Sequence, residues 1–457
     1  MASSTRTSLL DLGQDILEIL AEKVYEDRTY DYEGKDRNVR ILSLVSRAFR
    51  MPCQRLLFRN IHLRNGEYPL TTPLPSLLRL HSVLSKNIHL SSYIRILKIR
   101  QTFAGGFEDD FLPWVELDPL LFEVLNLFAS SPITTLRLSS DYEALYWAEM
   151  DGQLQNSFMA IFSKPTFQSL ELSRVVVPPW LLSPTNLPHL ENLYLTVPQL
   201  YDTQDENNNS LGAVKDKRVL SNVYIEFEGE GDWDEDWDQT PLHILALSSG
   251  LDFRTVRCLG IEFAPGIVPG LGPVVPLLLQ LADLRISLYG CGQDLSDQLV
   301  LSSLVSLQNL TICHQFQNSL ESSFCWTLKA LASIPSAHSS LRSISVGLRF
   351  EFDDESKERQ GLIGRLSDEL QRLHKRPASA TIPGGFKTEL HFRSHPWSMF
   401  GHEAVFGELK EVIESYFRWG KEDGDATGSG KFAMDLLKET HDHWVYTDSK
   451  LRSIMSL

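Results

Sequence analysis

Cysteine is scarce in this chain: five in 457 residues, at Cys53, Cys258, Cys291, Cys313 and Cys325. The count is odd and no pair has C-x-x-C spacing, which excludes a disulfide framework and a zinc finger and fits a reduced cytosolic or nuclear protein. Long apolar runs are missing too. No stretch of about 18 apolar residues occurs, and the N-terminus has no continuous apolar signal core, so neither secretion nor a membrane span is expected. Positive charge is in deficit, with 43 Lys and Arg against 59 Asp and Glu and a formal charge of −16. So acidic a surface repels nucleic acid and anionic membranes, and neither is an expected partner. The signatures G-x-x-x-x-G-K-[ST], G-x-S-x-G and H-E-x-x-H are absent, as is a G-x-G-x-x-G following a strand; no cofactor is expected, and no enzyme.

What is present begins at Leu9. LLDLGQDILEILAEKV places Leu12, Ile16, Leu17, Ile19, Leu20 and Val24 at helical spacing, with Glu18 and Glu22 opposite. These residues make two adjacent stripes, one for the other helices and one in need of a partner chain. VRILSLVSRAF follows, then MPCQRLLFRNIHL, with Pro52 expected in or just before the first turn of a third helix.

This segment resembles an F-box. The residues that carry the likeness are Leu12-Gly13, Asp15, Ile16-Leu17, Ile19-Leu20 and then Leu42-Ser43-Leu44-Val45-Ser46-Arg47-Ala48-Phe49. Gly13 stands where the family has proline, and the linker EDRTYDYEGKDRN is long. The resemblance implies docking on a Skp-type adaptor through Leu12, Ile16, Leu17, Leu20, Leu42, Val45 and Phe49. Through that adaptor it implies attachment to a cullin–RING ubiquitin ligase, with an unknown target protein held elsewhere on the chain.

From Ile94 onward a pattern apolar-x-x-apolar-x-apolar returns nine times. Its copies are Ile94/Leu97/Ile99, Ile133/Leu136/Leu138, Phe167/Leu170/Leu172, Leu190/Leu193/Leu195, Leu220/Val223/Ile225, Phe253/Val256/Cys258, Leu281/Leu284/Ile286, Leu307/Leu310/Ile312 and Leu341/Ile344/Val346. The last two positions alternate as in a strand with one buried side. The chain between copies suffices for a helix and two turns, as in the stretches opening at Asp118, Thr240, Asp294, Ser319 and Asp354. The units resemble degenerate leucine-rich repeats; the other reading is one large α/β domain with a parallel sheet.

The expected fold class is therefore α/β: an N-terminal three-helix F-box over residues 8–63, a leucine-rich-repeat-like solenoid over 76–395, and a C-terminal helical cap and tail over 396–457. FKTELHFRS, from Phe386, is a candidate last strand, and a short helix is expected from Lys431. Polar residues ride between the strand anchors: Lys98, Arg137, Glu171, Tyr194, Tyr224, Arg257, Arg285, Thr311 and Ser345. Of these, Lys98, Arg137, Tyr194, Tyr224, Arg257 and Arg285 are the candidate target-binding residues, the basic ones suited to an acidic segment; the plainer reading is solvated sheet surface. The acidic run Glu226–Gln239 has the Asp spacing of a calcium loop, but Trp237 and His243 stand where Gly and Glu belong. His441 and His443 do not face one point, and Pro396 argues against a helical metal pair of His391 and His395. The function expected is a substrate-recognition subunit of an SCF-type ubiquitin ligase; the alternative is a repeat scaffold with no ubiquitin role.

Overall fold

The computed structural model describes residues 13–26, 32–64, 74–102, 114–141, 144–196, 199–200, 220–226, 251–263, 274–289, 301–315, 320–350, 356–375, 386–394, 415–417 and 430–438. The chain divides into two compact units, Met1–Leu190 with Tyr201–Arg218, and Glu191–Leu200 with Val219–Leu457.

The first unit opens with helices α1 (Gln14–Glu26), α2 (Tyr32–Val45) and α3 (Arg47–Arg59). Gly13 starts α1 by lending its carbonyl to the N–H groups of Ile16 and Leu17. Ser46 caps α3, its Oγ accepting the Ala48 N–H at 3.2 Å. That cap begins the helix six residues ahead of Pro52, which therefore lies inside α3 and not in its first turn, buried within the unit. Leu17, Ala21, Val39, Phe49, Cys53 and Leu56 form the core of the three helices. An ion pair at 2.5 Å between Glu18 and Arg55 joins α1 to α3.

Helix α3 runs directly into the first strand. The strands of this unit are β1 (Asn60–Arg64), β2 (Ile96–Gln101), β3 (Thr135–Ser140), β4 (Leu145–Tyr146), β5 (Ser169–Ser173) and β6 (Val175–Val177). β1, β2, β3 and β5 pair in that order, all parallel, and β4 pairs with β6. Helices α4 (Pro75–Lys86), α5 (Trp114–Leu117), α6 (Pro119–Leu127) and α7 (Gly152–Phe162) lie between them in sequence. Asp118 and Pro119 open α6 as an N-cap and a first-turn proline should. Asp118 is buried and accepts twice: Oδ1 from Leu120 N–H at 2.9 Å, Oδ2 from Leu74 N–H at 2.7 Å, so one carboxylate caps the starts of both α6 and α4. Behind α6, Lys164 Nζ donates to the carbonyls of Phe128 at 2.5 Å and Ser131 at 2.9 Å. Burial pushes this amine down to about 8.

The second unit holds β7 (Asn192–Thr196), β8 (Gln199–Leu200), β9 (Asn222–Glu226), β10 (Cys258–Phe263), β11 (Asp283–Tyr289), β12 (Asn309–Gln315), β13 (Ser343–Phe350), β14 (Phe386–Ser394) and β15 (Gly430–Lys438). β7 and β9 to β15 form an eight-stranded parallel sheet in chain order. The protein is thus α/β, with a large parallel sheet. Pattern positions Leu193, Leu195, Val223, Ile225, Leu284, Ile286, Leu310, Ile312, Ile344 and Val346 are all buried, each contributing roughly 1.5–3 kcal/mol. Helices α8 (Leu320–Ala332) and α9 (Ser356–His374) fill two of the connections. His314 in β12 and Thr327 in α8 touch through the ring Nε2 and the hydroxyl, and His374 in α9 faces Thr388 Oγ1 at 3.4 Å.

Two expectations are corrected here. The copy written as Phe253/Val256/Cys258 sits three residues later: Leu259 and Ile261 are the buried strand positions, paired with Val223 and Ile225 on one side and Leu284 and Ile286 on the other. The segment from Lys431 is a strand and not a helix; Phe432, Met434 and Leu436 recur at the two-residue period of a strand. The stretch opening at Thr240 and the histidines at 395, 441 and 443 lie outside the described residues, as do residues 227–239 of the acidic run; of the segment 396–457, expected to be a helical cap and tail, 415–417 and 430–438 are described.

Candidate functional site

Two surfaces concentrate unusual chemistry, one on the helices and one on the strands.

On α1, Ile16, Ile19 and Leu20 are exposed; on α2, Ile41, Leu44 and Val45 are. Each trio has the i, i+3, i+4 spacing that puts three side chains on one side of a helix. Exposure reaches 85% at Leu44, 66% at Val45 and 40% at Leu20. Met51 on α3 is exposed as well. Isolated exposed leucines are ordinary, but seven large apolar side chains on three short helices are not. The core positions Leu17 and Ala21 follow directly beside the α1 stripe, so the helix separates an inner apolar side from an outer one. Of the expected docking residues, Ile16, Leu20 and Val45 stand on the outer side and Leu42 is half-buried, packed against the core. Leu17 and Phe49 belong to the core, each 3% exposed. A docking role would need Phe49 to stand open; its place one turn before Cys53 instead points it inward with Leu56. Leu12 lies outside the described residues.

On the strands, the residues between buried anchors form rows set by the parallel register. In the first unit His62, Lys98, Arg137 and Glu171 are successive neighbours. Arg137 Nε lies 2.9 Å from Glu171 Oε2, an ion pair without the alignment of a hydrogen bond. In the second unit the row is Tyr194, Tyr224, Gly260, Arg285, Thr311, Ser345 and Glu389. Gly260, not Arg257, holds the place on β10, because Arg257 precedes the strand. A Cβ at Gly260 would meet Tyr224 Cδ2 at 2.5 Å, so the missing side chain is what lets the Tyr224 ring lie over β10. The Tyr224 hydroxyl donates to Glu262 at 2.5 Å, and the Tyr194 and Tyr224 rings are 6.4 Å apart.

A second row was not legible beforehand. Asn222 donates to Asn192 at 2.6 Å, Asn309 to Asp283 at 2.5 Å, and Ser343 to Asn309 at 2.6 Å. Cys258 contributes its thiol to Asp283 at 3.5 Å. Burial first, then the adjoining Asp283 carboxylate, push that thiol up to about 11, which keeps it protonated and unreactive near neutral pH. The signal for this row was in the sequence: a polar residue stands directly before the first strand anchor in each of these copies.

Among the described residues no group of three or more His, Cys, Asp or Glu side chains is placed to hold a metal, and no helix is long and apolar enough to cross a membrane. Comparison of the chain with family models and with curated proteins returns no match.

Proposed function

We propose that this chain is the substrate-recognition subunit of an SCF-type ubiquitin ligase and not itself an enzyme. On this reading α1 to α3 are an F-box that docks on a Skp-type adaptor and, through it, on a cullin–RING ligase. The strand–helix units are a leucine-rich-repeat-like solenoid whose polar strand face holds a target protein.

The observation that carries the reading is the outward apolar stripe of α1 and α2. It occupies the positions where the F-box pattern of this sequence has Ile16, Ile19-Leu20 and Leu44-Val45, and it is uncovered while the same helices keep a separate buried core. Burying such side chains contributes roughly 1.5–3 kcal/mol each, and a standard interface draws its energy from a few of them. The polar rows support the second half, since they set aromatic and charged side chains side by side on neighbouring strands, an arrangement suited to protein recognition.

The test is a pull-down of recombinant Skp adaptor by the full chain. The wild type should retain it. Leu20→Asp with Val45→Asp should abolish retention, because two unpaired charges would enter a desolvated patch, while the circular dichroism spectrum stays unchanged because both positions are exposed. A wild type that does not retain the adaptor removes the ubiquitin role and leaves the repeat scaffold.

A further inference from the structure

Polar side chains are buried where β2 and β3 end. Gln101 and Ser140 are the last residues of those strands and are partners in the parallel register. The N–H of Asp141 donates to the Gln101 carbonyl at 2.9 Å, which holds the two strand ends side by side. Both residues follow the inward anchors Leu97, Ile99, Leu136 and Leu138 at the two-residue period, so their side chains turn to the same interior side. Gln101 is 1% exposed and Ser140 3%. The Gln101 side-chain oxygen accepts the Val115 N–H at 3.3 Å, in the first turn of α5. Trp114, which opens α5, is fully buried.

The bond from Val115 settles which end of the Gln101 amide is oxygen, so Nε2 and its two N–H donors are the other end. Gln101 Nε2, Ser140 Oγ and Trp114 Nε1 are each enclosed, and none has a hydrogen-bond partner among the described residues. Gln101 and Ser140 thus do not bond each other, although they stand on adjacent strands about 4.8 Å apart. Two polar groups held side by side without direct contact form the geometry that a bridging water completes. Orphaned groups of this kind are rare in folded proteins. Each one left unpaired shifts the folding equilibrium toward the unfolded chain by about fivefold to a hundredfold.

We propose that one buried water molecule bridges Gln101, Ser140 and Trp114, a structural hydration site that ties the ends of β2 and β3 to α5. The chemistry of the three groups selects the occupant. Gln101 Nε2 and Trp114 Nε1 can only donate, so the molecule between them must accept, which rejects a metal cation. The neighbouring inward side chains Leu97, Ile99, Leu136 and Leu138 are apolar and offer no countercharge, so an anion would be buried unpaired. A small neutral acceptor remains. Water accepts from both N–H groups and donates to Ser140 Oγ, making the three hydrogen bonds typical of an internal water. The site does not depend on the ubiquitin reading.

The experiment combines a crystal structure of the full chain, at a resolution that shows ordered water, with urea unfolding of variants. The electron density should contain a water about 2.7–3.2 Å from each of Gln101 Nε2, Ser140 Oγ and Trp114 Nε1. Ser140→Ala deletes one oxygen and little volume. With the water in place, this variant should raise the unfolding equilibrium constant about fivefold, because a bonded hydroxyl is lost. Removing a buried hydroxyl that bonds nothing would instead leave stability unchanged or improve it. Gln101→Met should destabilise as well, and the double variant should cost less than the sum of the two, since each single change already breaks the same bridge. Density in which Gln101 Nε2 and Ser140 Oγ bond protein groups directly overturns the proposal, as does a bound ion at the site. A Ser140→Ala variant as stable as the wild type overturns it too.

Discussion

His314 should make the second unit sensitive to mild acid. Its ring is fully enclosed between β12 and α8, in contact with the Thr327 hydroxyl, and burial lowers its pKa from about 6.5 to about 3. In the unfolded chain the imidazole takes up a proton near pH 6.5; in the folded chain it stays neutral until about pH 3. The unfolded state binds more protons throughout that window, so the contribution is fully present above the unfolded value and is lost as pH falls through it towards the folded one. A two-state titration with these values gives a loss of about 2 kcal/mol between pH 7 and pH 5, with a limiting slope of about 1.4 kcal/mol per pH unit. The measurement is urea unfolding of the full chain at pH 7, 6 and 5, followed by circular dichroism, beside His314→Gln. Glutamine keeps a hydrogen-bonding group near Thr327 and has no proton to gain. The variant should be less stable at pH 7 yet lose about 2 kcal/mol less than the wild type on going to pH 5. Identical pH profiles for the two proteins would show that His314 is not the acid-sensitive group.

Asp118→Ala should remove the caps of α4 and α6 together and destabilise the first unit by about 2–3 kcal/mol, read as a lowered thermal midpoint; Asp118→Asn should restore part of it. Asn309→Ala interrupts the side-chain row between Asp283 and Ser343 and should lower stability by about 1 kcal/mol in urea unfolding, with the far-ultraviolet spectrum retained.

The strand anchors were legible because alternation with one buried face leaves a mark in sequence that needs no partner to interpret. Leu136/Leu138 and Leu284/Ile286 are such cases. The copy around Val256 was not, because Phe253/Val256/Cys258 and Val256/Leu259/Ile261 satisfy the same template, and only pairing with β9 and β11 chooses between them. That choice moved Arg257 off the row and put Gly260 on it, leaving Lys98, Arg137 and Arg285 as the basic residues at their expected strand positions. β1 was missed because IHL continues a helical segment without a turn, and its strand character comes from β2 beside it. The apolar stripes of α1 and α2 were readable as surplus, but which leucine is surplus is a tertiary matter: Leu17 and Leu20 are alike in sequence and opposite in exposure. The row from Asn192 to Ser343 depends on lateral register between strands tens of residues apart, which no local window contains.

The uneven spacing of the strands has a thermodynamic meaning. β10 and β11 pair residues 25 apart, as Leu259 with Leu284, whereas β13 and β14 pair residues 44 apart, as Ile344 with Thr388. Loop-closure entropy grows only with the logarithm of length, so the longer connection is disfavoured by about 0.5 kcal/mol relative to the shorter. That is less than the burial of one methylene, about 0.8 kcal/mol. Each added strand thus closes onto its predecessor at nearly the same entropic expense whatever lies between. The connecting segments are free to lengthen, shorten or diverge in sequence while the register of the strands, and with it every row of side chains on the open face, stays as it is.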